Sequence, residues 1–194
     1  MFEPDSLAPD PEDKAAWTSA LAYIEHQSTS VVDIQPLRGD PGLVRWLYLA
    51  DHATYPPHLQ ARWPRFRASF QCFPHGFTLW WGAGIPVGYT AWHPVAPEAL
   101  RRLDVQPTLE ESLEPVPLTV APSLYVFNYS LLVPLRKAPF SRQILTTLAD
   151  QIAAVAPVRL GAGVVSPEGG RVAARFGMVE RGPMKSRGWS WWSS

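Results

Sequence analysis

A run of ten residues constrains the fold of this chain more than any other feature. The run LYVFNYSLLV, from Leu124 to Val133, is apolar nearly throughout, and a strand of this kind is typically covered on both faces. After Pro139, apolar residues recur at the spacing of an α-helix, at Ile144, Leu148, Ile152 and Val155. The sequence therefore predicts a central strand that leads directly into a long helix.

The remaining elements are shorter and alternate around this pair. Their predicted order is helix, strand, two helices, hairpin and long loop, then the central strand and long helix, and last strand, short helix and strand. Asp40-Pro41 is typical of a helix start, and residues 94–123 contain six prolines,. We expect this proline-rich excursion to contain a single helical turn. The tail at 188–192 alternates like an edge strand.

This order predicts an α/β (α+β layered) domain with a single mixed, mostly antiparallel central sheet flanked by helices. We expect residues 1–30 to form an N-terminal arm and helix, and residues 31–194 to form the domain. Cys72 lies among aromatic residues and is expected to be a small buried side chain,. The five histidines show none of the spacings typical of metal ligands, so no metal site is expected,.

The charge balance argues against two classes of partner. Seventeen basic and seventeen acidic residues give a formal net charge of zero, whereas proteins that coat nucleic acid or anionic membranes normally carry a basic excess. No apolar run approaches the roughly 18 residues that span a bilayer, and Met1–Asp5 does not begin like a signal peptide,. We therefore expect a soluble, cytoplasmic domain with no nucleic-acid or membrane partner.

Three stretches carry a resemblance to a known family. They are GAGIPVGY at Gly82–Tyr89, VPLRKAPFS at Val133–Ser141, and the short helix from Ser166 that ends in Gly177-Met178. Their order and spacing resemble the GNAT N-acetyltransferase superfamily over roughly residues 31–182. The resemblance implies an acyl-CoA N-acyltransferase-like fold, in which two central strands separate to admit the pantetheine arm. An unrelated α/β protein would lack that separation.

The second stretch, Val133–Ser141, is also suited on physical grounds to bind an anion. A helix N-terminus offers unpaired backbone N–H groups and partial positive charge, which suit a pyrophosphate. In the family pattern Arg136 takes the first position, while Pro139 and Ser141 stand where small residues are usual. Alternatively, Pro139 simply starts a helix and the nearby cations are solvated. The resemblance implies acetyl-CoA or another acyl-CoA as co-substrate, bound by Leu132, Val133, Arg136, Lys137, Ala138, Phe140, Ser141 and Arg142.

The resemblance implies direct attack of an amine on a bound thioester, with a backbone N–H near Leu132-Val133 polarising the carbonyl. The tyrosine that often serves the family as general acid is replaced here by Ala173. His93 is the candidate titrating group, with a solvated loop histidine as the alternative. Water or substrate would be positioned by three neighbours on the central strand, Asn128, Tyr129 and Ser130.

Substrate contacts are implied for the helices after the first strand, which form one wall of the acceptor cleft in this family. Arg62 and Arg65 could hold a carboxylate or phosphate there, and Trp81 an apolar wall; a solvated helix face and core packing are the alternatives. We therefore predict an N-acyltransferase for a small-molecule amine, or else a non-catalytic GNAT-fold protein that binds a ligand or partner. The C-terminal tryptophans would cover an edge strand or join two subunits in a homodimer.

Overall fold

The protein is described by a computed structural model. It covers residues 15, 18, 34–57, 59–82, 85–107, 113–118, 122–132, 135–136, 139–184 and 189–194. Ala15 and Thr18 are helical, and the rest of the expected N-terminal arm and helix lies outside the described residues. Among the described helices, none combines the length and the hydropathy that crossing a membrane requires.

Seven strands form one mixed sheet. Their bounds are β1 (Ile34–Leu37), β2 (Phe77–Gly82), β3 (Ile85–Val95), β4 (Ser123–Leu131), β5 (Arg159–Val164), β6 (Val179–Met184) and β7 (Trp189–Ser193). The strand order is β1-β2-β3-β4-β5-β7-β6. The pair β4–β5 is parallel, whereas β1–β2, β5–β7 and β6–β7 are antiparallel. The predicted central position of the apolar run is confirmed, since β4 has a neighbour on each side.

Five α-helices are described around this sheet, together with a short 3-10 turn at Pro74–Gly76. The helices are α1 (Leu43–Thr54), α2 (Trp63–Cys72), α3 (Pro97–Val105), α4 (Phe140–Val155) and α5 (Pro167–Arg175). The long helix after the central strand is confirmed as α4, and its stripe residues Ile144 and Leu148 are fully buried. The layered α/β prediction is therefore correct.

The alternating pattern predicted that the C-terminal tail is an edge strand, and this prediction is wrong. β7 lies between β5 and β6 and pairs with both, so the sheet ends at β1 and β6. Trp191 on β7 has no exposed surface. Alternation predicts that one face of a strand is buried, but it does not reveal how many neighbours the strand has.

The proline-rich excursion also differs from expectation. It contains the nine-residue helix α3 rather than a single turn. Pro97 occupies the first helical position, Glu98 lies in the first turn, and Leu100 and Leu103 are buried. These are favourable helix-start and packing features, which the overall proline content of the excursion obscured.

Contacts divide the chain into two compact units. The first comprises Met1–Thr90 with Ser130–Ile144. In it Asp40 prepares the start of α1, since its carboxylate accepts the N–H of Gly42 at 2.7 Å. The ring of Phe66, on α2, lies edge-on to Phe77 at 5.9 Å and to Tyr89 at 6.0 Å. The exposed Cys72 corrects the prediction of a buried thiol.

The second unit comprises Ala91–Tyr129 with Leu145–Ser194. Its core joins the excursion to the C-terminal strands through Val95, Leu100, Leu103, Leu113, Tyr125, Met184 and Trp191. Helix α5 is capped by Ser166, whose hydroxyl accepts the N–H of Gly169 at 3.1 Å. It closes at Gly177, whose φ of +74° favours glycine,. Both ends of α5 were therefore readable from the sequence.

Candidate functional site

The central strands separate within the second unit. β4 and β5 pair only at their beginnings, through Ser123–Arg159, Leu124–Leu160 and Tyr125–Gly161. Beyond that point β4 continues to Leu131 and β5 to Val164, and β5 pairs there with β7. The described β4 residues from Val126 onward make no ladder with β5. Two neighbouring strands that separate in this way can accept an extended ligand chain between them.

The end of β4 lies in the first unit and is well fixed. Leu132 donates its N–H to the carbonyl of Val87 at 2.8 Å, so that amide is occupied by the sheet. Arg136 is exposed, and its Nε donates to the carbonyl of Leu131 at 2.9 Å. This bond holds the guanidinium beside the strand end. The predicted cofactor residues Val133, Lys137 and Ala138 lie outside the described residues.

The first turn of α4 is free of acidic residues. Phe140 and Ser141 are half-buried and Arg142 is exposed. The carbonyl of Pro139 accepts the N–H groups of Arg142 at 3.1 Å and Gln143 at 3.2 Å. A helix start with a cation and no acid in its first turn is favourable for an anion.

Three of the predicted catalytic residues lie in succession on β4. Asn128 and Ser130 are buried, and the hydroxyl of Ser130 donates to the carbonyl of Tyr89 at 3.3 Å. Tyr129 is half-buried. Burial raises the pKa of Tyr129, and the positive charge of Arg175 opposes part of that rise. The Tyr129 hydroxyl is therefore protonated near neutral pH.

His93 lies within β3, not in a loop after it. Its exposed fraction is only 4%, which overturns the alternative of a solvated ring. Nδ1 lies 3.2 Å from the carbonyl of Pro94, and the imidazole sits 5.6 Å from the ring of Tyr125 and 5.4 Å from that of Phe127. The strand is longer than the hairpin alone suggested, and the extra residues carry the histidine into the core.

The predicted substrate residues lie in the first unit. Arg62 precedes α2 and Arg65 lies in its first turn, and both are exposed. Trp81 is half-buried on β2, where its ring packs edge-on against Trp46 at 5.5 Å. Arg62 and Arg65 are therefore available to a solvent-borne ligand.

Comparison with known proteins supports the fold. No protein-family model and no curated protein matches the sequence, but many solved structures match the structure. GphF, a GNAT-like decarboxylase in complex with isobutyryl-CoA, aligns with a TM-score of 0.63 at 11% identity, over 82% of this chain and 97% of its own. The loading GNATL domain of CurA from Lyngbya majuscula aligns with a TM-score of 0.63 at 12% identity, over 83% of this chain and 96% of its own.

A third solved structure gives the same result. Arabidopsis thaliana Naa50, in complex with the bisubstrate analogue CoA-Ac-MVNAL, aligns with a TM-score of 0.58 at 11% identity, over 83% of this chain and 97% of its own. This chain has the GNAT fold. The resemblance stated from the three sequence stretches is confirmed at the level of fold, and the separation of β4 and β5 is the feature that an unrelated α/β protein would lack.

One departure from the GNAT pattern is seen in both the sequence and the structure. Ala173, at the position where the family often carries a tyrosine, has an exposed fraction of 2%. It lies on the buried side of α5 with Gly170. Trp192 occupies the space beside Gly170, because a Cβ there would lie 3.2 Å from its indole ring. This side of the helix is therefore filled by small residues and an indole.

The sequence reading missed Asp51 on α1. Its exposed fraction is 3%, and its carboxylate accepts the hydroxyl of Tyr89 at 2.7 Å and the N–H of Ala61 at 2.8 Å. Burial raises the pKa of Asp51, while these two hydrogen bonds and the nearby His52 oppose the rise. Asp51 thereby fixes the segment that precedes Arg62. The sequence feature that could have identified Asp51 is its position four residues after Leu47, which places an acid on the apolar stripe of α1.

Proposed function

We propose that the protein is an acyl-CoA-dependent N-acyltransferase that moves an acetyl or other acyl group from the thioester to a small-molecule amine. The observation that carries the proposal is the separation of β4 from β5 after Tyr125 and Gly161. It opens the sheet between these two strands, where the amide-rich pantetheine arm could lie as an extended chain. The GNAT fold supports this assignment, as does the CoA compound bound in the GphF and Naa50 structures.

The cofactor's pyrophosphate would bind at the start of α4. Arg136 and Arg142 supply exposed positive charge, and the first turn contains no acid to repel the phosphates,. Lys137 would add a third cation and Ser141 a hydroxyl. Leu132, Val133, Ala138 and Phe140 would contribute backbone or apolar contacts around this anion site.

The proposed chemistry is direct transfer. The neutral amine attacks the thioester carbonyl, the C–S bond breaks, and the coenzyme leaves as a thiolate. The amide of Val133 would polarise the carbonyl, because that of Leu132 is bonded to Val87,. His93 would take the amine's proton directly or through water, with Asn128, Tyr129 and Ser130 positioning the substrate or that water. Since a thiolate leaves readily, Ala173 in place of a tyrosine lowers the rate without preventing the reaction.

The amine acceptor would approach the surface that carries Arg62 and Arg65. Both guanidinium groups are exposed and can bind a carboxylate or phosphate on the acceptor. Trp81 would form an apolar wall for the same molecule. We place the enzyme in the cytoplasm, where acyl-CoA is available to it.

The first test is isothermal titration of the protein with acetyl-CoA. We expect micromolar binding that weakens about tenfold in Arg136→Ala, the typical loss when one charge-assisted phosphate contact is removed. Arg171→Ala is the matched control, because Arg171 is an exposed arginine on α5 outside the proposed site. No heat at millimolar acetyl-CoA would overturn the proposal and mean that Pro139 and Ser141 have closed the anion site.

The second test separates catalysis from binding alone. Thiol release from acetyl-CoA is measured across a panel of amines, with a no-acceptor background. Release well above that background supports transfer. Tight acetyl-CoA binding with no amine-dependent release would favour a non-catalytic GNAT-fold binding protein, the alternative suggested by Ala173 and by the missing N–H of Pro139,.

A further inference from the structure

A cleft of about 800 Å³ runs beside α5 in the second unit. One side of it is formed by α5, from Pro167 to Ala174, and the other side by β6 and β7. The end of β5 closes it above the start of the helix. A cleft of this volume can hold one small organic molecule.

The described lining of this cleft is mostly apolar, and an indole ring is fixed within it. Trp192 on β7 is half-buried and lines the cleft. A Cβ on Gly170 would lie 3.2 Å from its ring, and its Nε1 donates to the hydroxyl of Ser190 at 2.8 Å. Pro183 and Met184 line the cleft further along β6. The indole is therefore held in one orientation beside an apolar wall.

The charged side chains that line the cleft are Arg171 and Glu180. The guanidinium of Arg171 donates to the carboxylate of Glu168 at 2.8 Å, so its charge is balanced. Glu180 is exposed, and within the described part of the chain no side chain forms an ion pair or a hydrogen bond with its carboxylate. These three groups together carry one net negative charge, which is that of Glu180.

The unpaired carboxylate lies beside the indole. Glu180 is directly opposite Trp192 in the β6–β7 ladder, and residues opposite each other in a ladder project from the same face of the sheet. Both side chains line the cleft. A negative charge and an aromatic ring are therefore available to the same ligand.

A carboxylate beside an indole selects organic cations. An ammonium group is attracted by the negative charge and by the face of the ring. An alkylated ammonium has few or no N–H bonds to water to lose when it enters an apolar cleft. A neutral molecule of the same shape gains the apolar contact alone, and an anion is repelled by Glu180.

We propose that this cleft is a binding site for an organic cation, an alkylated ammonium with an apolar substituent. The ammonium lies against the carboxylate of Glu180 and the indole of Trp192, and the substituent extends along β6 toward Pro183 and Met184. The site goes beyond the proposed acyl transfer and does not depend on it, because none of these residues belongs to the proposed CoA or amine contacts.

The experiment compares three probes of similar shape by isothermal titration, without any CoA compound. They are choline, its neutral carbon analogue 3,3-dimethyl-1-butanol, and the anion 3,3-dimethylbutanoate. We expect choline to bind about tenfold more tightly than the alcohol, which is the scale of one cation–π contact with an ion pair. Hexyltrimethylammonium should bind several-fold more tightly than choline, because its chain covers the apolar wall.

Three variants locate the binding. Glu180→Gln removes the charge while nearly keeping the shape, and should lower the affinity for choline to that for the alcohol. Trp192→Ala should weaken choline binding about fivefold. Ala174→Phe adds a ring to the cleft at an exposed helix position and should weaken hexyltrimethylammonium even if Trp192→Ala folds poorly. Glu98→Gln is the matched control, because Glu98 is an exposed glutamate on α3 that pairs with Arg101.

Each outcome decides the proposal. A preference for choline that is lost in Glu180→Gln and retained in Glu98→Gln supports the site. Equal affinity for choline and the alcohol, tighter binding of the anion, or a preference that survives Glu180→Gln overturns it. The absence of a signal from hexyltrimethylammonium at millimolar concentration overturns it as well. Because no CoA compound is present and choline has no N–H to acylate, none of these results changes the standing of the acyl-transfer proposal.

Discussion

Asp51 in the first unit and Asp104 in the second both hold several elements together, but with different partners. The Asp51 carboxylate accepts one hydroxyl and one backbone N–H, and Nδ1 of His52 is 3.7 Å away. The Asp104 carboxylate accepts the indole N–H of Trp191 and the hydroxyl of Ser193, and it pairs with the guanidinium of Arg159. The two hydrogen-bond donors of Asp51 are uncharged groups, whereas one partner of Asp104 is a permanent cation.

Their pKa values respond in opposite directions. Burial raises the pKa of Asp51, and its hydrogen bonds only reduce that rise. Burial also acts to raise the pKa of Asp104, but the bonds from Trp191 and Ser193 and the charge of Arg159 outweigh it, so that this pKa lies below its ordinary value. The hydrogen bonds from Trp191 and Ser193, together with the charge of Arg159, thus outweigh burial at Asp104, whereas the partners of Asp51 do not,.

The largest expected effect is that of Asp104→Ala. The change leaves Arg159, Trp191 and Ser193 without their shared acceptor, and we expect the free energy of unfolding to fall by about 3 kcal/mol. Urea denaturation followed by tryptophan fluorescence measures this. Glu98→Ala is the control on the same helix, because its exposed pair with Arg101 should contribute less than about 1 kcal/mol. Equal losses in both variants would contradict the role of Asp104.

Asp51→Ala should have the second largest effect. It removes the acceptor to which the hydroxyl of the buried Tyr89 and the half-buried N–H of Ala61 donate, which costs about 2 kcal/mol,. It also releases the segment before Arg62, so we expect KM for the amine to rise several-fold while the affinity for CoA is unchanged. Asp51→Asn keeps an acceptor oxygen and should recover part of both losses. Equal weakening of CoA binding would show that Asp51 acts on the whole fold instead.

The pH dependence of stability should separate the two carboxylates. The folded pKa of Asp104 is lowered, so its stabilisation is present above the unfolded pKa and is lost as pH falls through the folded pKa,. The folded pKa of Asp51 is raised, so the cost of its buried anion is present above that pKa and fades as pH falls through it,. As the pH falls below 7, the free energy of unfolding of the wild type should therefore decrease relative to that of Asp104→Asn. It should increase relative to that of Asp51→Asn.

Parallel urea titrations between pH 7 and pH 3 measure these differences. If the free energy of unfolding relative to the wild type changes with pH in the same direction for both variants, the predicted opposite behaviour of Asp51 and Asp104 is wrong.

Tyr89→Phe should have the smallest effect. It removes one hydrogen bond from a hydroxyl to the Asp51 carboxylate and leaves the ring packing of Phe66 and Tyr89 in place, for a loss of about 1.5 kcal/mol,. The variant also removes a bond that lowers the pKa of Asp51, so that pKa should rise further. NMR titration of the Asp51 carboxyl carbon checks this. An unchanged pKa would mean that the hydroxyl does not stabilise the anion.

Local sequence patterns were sufficient to predict most of the helices and strands. The apolar run at Leu124–Val133, the helical stripe from Ile144 and the Ser166 cap each depend on neighbours in sequence, and all three are present as predicted. The failures involve relations between distant segments. His93 became buried because β3 extends to Val95, and α3 formed because Leu100 and Leu103 pack into a core with Trp191.

The candidate site shows the same division. The anion-binding start of α4 follows from adjacent residues, and the resemblance to GNAT proteins supplied its meaning. Asp51 and Asp104 were missed because their partners are remote. Tyr89 is 38 residues from Asp51, and Ser193 is 89 residues from Asp104. No spacing rule links a single aspartate to donors at such separations.

The sequence by itself determined that a buried strand within the run Leu124–Val133 leads into a long helix, because hydrophobic periodicity and capping act over a few residues. Only the tertiary structure decided that β7 lies inside the sheet, that β4 and β5 separate after Tyr125, and which aspartate is paired with a cation. These outcomes depend on strand register and on contacts between distant residues. Sequences with the same local pattern can differ in both.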